Sequence, residues 1–198
     1  MDGQSYLNEI SMANRPAPKS KMDFMKSKFF IVGAIGVVGL ILLLIIGAVL
    51  GGGSSVKDQT ITLKVRLDNT AALVGDYQPS IKSSILRSSS ASLYSVMTNT
   101  SRELGEYLGE EKVPAKITED EDAHKEALSS ELFEAKINGV LDRTFTYKMV
   151  YEISLITTME RRIANSAKSD DLKNILETSL ESLDNIYNAL NNFSETTK

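Results

Sequence analysis

Glu121, Asp122, Ala123 and His124 come nearest to a chemical motif in these 198 residues, spelling Glu-x-x-His. On a helix that spacing puts a carboxylate and an imidazole on one face, as in ferritin-like dimetal bundles. Such a centre needs a second Glu-x-x-His and two further glutamates, and the chain has a single His. The acidic run from Glu119 to Asp122 is therefore read as a helix start, where the positive end of the dipole favours carboxylates. His124 is expected in an exposed acidic turn, too isolated to serve as the base of a nucleophilic triad. With no Cys, thiol nucleophiles, thiolate metal sites and disulfides are excluded. No phosphate loop, dinucleotide-binding glycine pattern, zinc-protease motif or kinase signature is present. The expectation is a non-enzymatic protein with no catalytic residue, cofactor or metal. Tyr147 and Tyr151, one turn apart, could line a ligand or partner groove, although core packing is the simpler reading. Asn99-Thr100-Ser101 and Asn192-Phe193-Ser194 are formal glycosylation sequons inside expected helices and are assigned no role.

Charge is divided unevenly about one apolar run. Residues 1–28 carry five Lys/Arg and three Asp/Glu, and the remainder carries 17 and 23, so the net values are +2 and −6. An acidic domain lacks the basic face that phosphate contacts need, which argues against a nucleic-acid partner.

Residues 29–50, FFIVGAIGVVGLILLLIIGAVL, contain no charged side chain and would extend roughly 33 Å as a helix, about one hydrocarbon core. A transmembrane helix is expected. A buried globular helix is rarely apolar on every face for this length. A cleaved signal peptide would have a shorter apolar region nearer the N-terminus, although Gly47, Ala48 and Gly51 leave cleavage near Gly51 open. Arg15, Lys19, Lys21, Lys26 and Lys28 precede the run, while Lys57, Lys64 and Arg66 follow it within about 20 residues. That asymmetry places the N-terminus in the cytoplasm and the C-terminal domain outside. The segment SKFFIVGAIGVVGLILLLIIGAVLGGG resembles short membrane-anchored proteins of small-genome bacteria. The resemblance covers the first quarter of the chain, implies a bacterial envelope protein and carries over no functional residue.

The fold class expected for the rest is all-α. Residues 1–28 form a basic tail with no core of its own, residues 51–58 form a Gly/Ser linker, and residues 59–198 form the extracytoplasmic bundle. Ile61, Leu63, Val65 and Leu67 alternate as a strand would. No later segment offers a partner strand, so the stretch is read as a helix using Leu63, Leu67, Ala71 and Val74. Gly75 and Pro79 interrupt it. The next apolar set is Ile81, Ile85, Leu93, Val96, Met97, Leu104 and Leu108, stopping near Gly109 with Pro114 beyond. A long third helix is expected from a Thr118/Glu121 capping box to about Ala167, with Gly139 a weak point inside it. Ser169 would cap a last helix bearing Leu172, Ile175, Leu176, Leu180, Leu183, Ile186 and Leu190. Short connections then give an up-and-down bundle of three or four long helices. The function expected is a membrane-anchored surface protein that offers a helical face to a partner protein or to a second copy. The competing reading is a sensor-like or carrier domain with a ligand pocket between helices.

Overall fold

The structure is a computed structural model that describes residues 55–196. The expected tail (1–28), the expected transmembrane helix (29–50) and the first linker residues lie outside the described residues. Among the described residues there is no strand, and no helix is long and apolar enough to cross a membrane.

Five helices follow in order: α1 Val56–Tyr77, α2 Ser84–Leu108, α3 Ala115–Ile137, α4 Leu141–Ser166 and α5 Asp170–Thr196. They run alternately up and down. The expected count of three or four is thus corrected to five, because the long third helix is two. Gly139 makes the break with φ +72°, where a side chain would be strained. Around it the Gly139 amide donates to the Lys136 carbonyl at 3.2 Å and the Val140 amide to the Ala135 carbonyl at 2.9 Å. This paired closure satisfies the last carbonyls of α3 and reverses the chain.

The linker boundary is corrected as well. Ser55 caps α1, its Oγ accepting from the Asp58 amide at 3.1 Å while the Asp58 carboxylate accepts from the Ser55 amide at 3.3 Å. Residues 56–58 are therefore the first turn of α1 rather than tether. The capping box expected at Thr118 and Glu121 does not form, because α3 already starts after Pro114, whose fixed φ suits a helix entrance. Gly109, with φ +67°, ends α2 where the sequence places its stop.

α1, α2, α5 and α4 form a four-helix ring in which each helix packs against its antiparallel neighbours. α3 lies outside this ring, across α1 and α4. The strand-like alternation on α1 now has a cause. With α2, α3 and α4 all against it, α1 buries Ile61, Leu63, Leu67, Leu73 and Val74, more than one helical stripe. Between residues 78 and 83 a short 3-10 turn at Gln78–Ser80 carries Pro79, and Ile81 plugs the core beyond it. α2 turns Leu86 inward and leaves Ile85 67% exposed, so the register there is one residue off the sequence expectation.

On α5 the buried stripe is Leu172, Leu176, Ser179, Leu183, Ile186 and Leu190, whereas Leu180 is half-buried at the rim. Leu176→Ala leaves a cavity in the ring and is expected to cost about 2 to 5 kcal/mol. In thermal unfolding of the isolated polypeptide 54–198, it should lower Tm by roughly 6 to 15 °C. Leu180→Ala should lower it by less than about 5 °C.

Candidate functional site

The most concentrated polar chemistry lies where α3 meets the ring. Arg66 points inward from α1, between positions that bury Leu63, Leu67 and Thr70. Its Nε donates to Glu121 Oε2 at 2.6 Å and its Nη2 to Glu121 Oε1 at 3.0 Å, a two-bond fork onto the carboxylate from α3. Arg66 Nη1 also stands 3.6 Å from Glu152 Oε2 on α4, an ion pair too long for a hydrogen bond. Glu152 Oε1 accepts from His124 Nε2 at 2.8 Å, which closes a chain of four side chains across three helices. The side chains of Arg66, Glu121 and Glu152 are 5% exposed or less, and His124 is the outward member at 19%.

This arrangement overturns two sequence expectations. Glu121 is buried within α3 instead of serving a helix start, and His124 is largely covered, held by a carboxylate 28 residues away. The Glu-x-x-His spacing does place both side chains toward one face. What meets them is the guanidinium of Arg66 and the carboxylate of Glu152. Both Glu121 oxygens are committed to Arg66, so this pair is built as a structural clasp. Among the described residues no group of three or more His, Asp or Glu is disposed to hold a metal ion.

The electrostatics follow from burial. Burial opposes the charge on Arg66, but the hydrogen bonds and charge of Glu121, with the charge of Glu152, outweigh it and hold the guanidinium above its ordinary pKa. Burial and the nearby Glu152 carboxylate push the Tyr151 hydroxyl up. Tyr147, one turn away, is 67% exposed, so it packs outside the core. Two further contacts extend the clasp along α3: Asn69 Nδ2 donates to Asp122 Oδ1 at 3.2 Å, and the Tyr77 hydroxyl donates to the Ser129 carbonyl at 2.8 Å.

A third buried carboxylate, missed in the sequence and apart from the clasp, sits between α4 and α5. Glu160 is fully buried and accepts from Ser179 Oγ at 2.6 Å through Oε1, while its Oε2 has no hydrogen-bond partner. Burial, helped by the charge of Asp184, raises its pKa to about 8 against the opposing effects of Ser179 and Arg161. The only sequence signal was Glu160 falling seven residues before Ala167 on the inward face, and a charged letter there reads as surface. Comparison with protein-family models, curated proteins and solved structures finds no match.

Two outcomes follow. Arg66→Leu strands Glu121 as a buried, uncompensated carboxylate and leaves Glu152 with His124 alone, and is expected to destabilise the bundle by about 3 to 5 kcal/mol in denaturant unfolding at pH 7. Glu160 has a folded pKa above its unfolded value, so its protonated form is favoured in the fold and stability falls as pH rises from about 4.5 toward 8. Glu160→Gln should thus match the parent near pH 4.5 and exceed it at pH 7, by at most about 3 kcal/mol. Equal stability of the two chains across that range is the contrary result.

Proposed function

We propose that this chain is a non-enzymatic, single-pass membrane-anchored envelope protein whose extracytoplasmic helical bundle presents a face to another protein. The anchor rests on the 22-residue apolar run at 29–50 and the outward direction on the lysines before it. The observation that carries the interaction reading is on α3. Phe133 and Ile137, one turn apart, are 56% and 68% exposed, and Val140 just beyond them is 50% exposed. Contiguous exposed apolar patches mark protein, membrane or ligand contact surfaces. They also lie on the helix outside the four-helix ring. The inner face of α3 is already committed through Leu128, Leu132, Ala135 and the Arg66 clasp, so the outer face is available.

A carrier reading with its ligand held between the long helices needs a cavity inside the ring. The ring is filled by Leu63, Leu67, Met97, Phe145, Met149 and Ile153, all at 1% exposure or less. The interaction reading is therefore the better supported.

The test combines topology with contact. Protease added to intact cells should remove residues 56–198 and spare the N-terminal tail; protection of the bundle would reverse the orientation. In the same cells, a photo-crosslinking residue placed at Phe133 should join the chain to one discrete partner, and Ile137→Ser should reduce that product. A crosslinker at Phe133 that captures nothing, in cells where the chain is correctly inserted, would contradict the contact face.

A further inference from the structure

The end of the bundle farthest from Val56 holds a recess of about 580 Å³, formed by the 78–83 turn, the 138–140 turn and Phe193 of α5. Val140, Leu141 and Phe193 are its apolar lining residues, and its size is that of ordinary binding pockets. Lys82, Lys136 and Arg143 stand around it, all exposed. No ion pair is formed by these three among the described residues, as is also the case for other cations such as Lys116 and Lys125; what sets Lys82, Lys136 and Arg143 apart is that they share one recess. Among the described residues that line the recess, Asp142 is the one carboxylate, and it is already engaged. Asp142 Oδ1 accepts from the Lys82 amide at 2.9 Å and Oδ2 from the Ser83 amide at 2.8 Å, tying the two turns together. Leu141, Asp142 and Arg143, from the first turn of α4, line the same space. Three exposed cations therefore surround the apolar part of this recess, on a domain whose net charge is negative.

From this we infer that the recess docks an acidic segment of a partner protein, an apolar side chain entering between Val140 and Phe193 while flanking carboxylates meet Lys82, Lys136 and Arg143. The inference rests on the interaction reading above and gives it a location and a partner chemistry. Val140 belongs both to the recess and to the exposed Phe133–Ile137 stripe, so the two surfaces are continuous. The fit is complementary in both respects that make contacts selective. Apolar burial supplies attraction, and the exposed cations reject a basic competitor.

The test uses the full chain in nanodiscs of neutral phosphatidylcholine and a fluorescent 15-residue peptide that carries Glu on one helical face and Leu and Phe on the other. The same peptide with Lys in place of Glu is the control. The acidic peptide should bind saturably and weaken several-fold between low and high salt, as screened charge requires. Lys136→Glu/Arg143→Glu should weaken it at least tenfold and should admit the basic peptide instead. Because both side chains are exposed, the double variant should keep its helical spectrum; Val140→Asp, which blocks the floor, should also abolish binding. Equal binding to the parent and the charge-reversed chain would overturn the inference, as would absence of saturable binding. Phosphatidylglycerol vesicles that bind with the same dependence on Lys136 and Arg143, and displace the peptide, would overturn it by making a lipid surface the occupant. A partner crosslinked from Phe133 whose capture is unaffected by the double variant would leave the interaction reading standing while the recess fails.

Discussion

One guanidinium, that of Arg66, decides how α3, the helix outside the ring, is attached. Over its first half, α3 offers the ring almost no apolar surface: from residue 115 to residue 127, Glu121 is the one buried side chain. The attachment there is electrostatic, through the two-bond fork to Glu121, with Glu152 and His124 behind it. A buried ion pair of this kind contributes little net stability compared with a well-packed apolar contact, but it is costly to break in half. Its consequence is geometric. Arg66 accepts α3 in one register only, because the fork matches one carboxylate on one face. Further along, Leu128, Leu132 and Ala135 take over, and the helix is held as any amphipathic helix would be.

That division of labour connects the clasp to the exposed surface. α3 is a cover rather than a member of the ring, so its outward side is free to carry Phe133 and Ile137. The paired closure at Gly139 then turns the chain within three residues, and Asp142 immediately fastens the turn to the 82–83 amides. The same short segment that ends α3 therefore forms one wall of the recess. Placing apolar groups at this end and Lys82, Lys136 and Arg143 around them depends on α3 reaching it in the register that Arg66 sets.

The sequence made the ring legible and the clasp illegible, for physical reasons. Apolar periodicity reports burial against a single neighbouring surface, so Leu172, Leu176, Leu183 and Leu190 on α5 and the stop at Gly109 could be read directly. α1 was ambiguous because three neighbours surround it, and burial on several faces blurs the 3.6-residue period into an apparent alternation. Gly139 was visible, but whether a glycine weakens a helix or ends it depends on its φ, here +72°, which local sequence does not dictate. Arg66, Glu121 and Glu152 each look like surface residues one at a time. Their burial is a property of the set, brought together from positions 55 and 31 residues apart, and charge letters carry no marker of a partner that distant. Glu160 was hidden in the same way, since the hydrogen bond it accepts from Ser179 is a contact between helices.

If the first half of α3 is held by the clasp and the second half by apolar packing, the two halves should differ in local stability. Amide hydrogen exchange along α3 measures this most directly, because opening free energies are read residue by residue. Amides from 118 to 127 should exchange through local opening, well before those of α1 and α4, and Glu121→Gln should accelerate them at least tenfold while leaving 130–137 nearly unchanged. Uniform protection along α3, with the same small response to Glu121→Gln at both ends, would contradict the account.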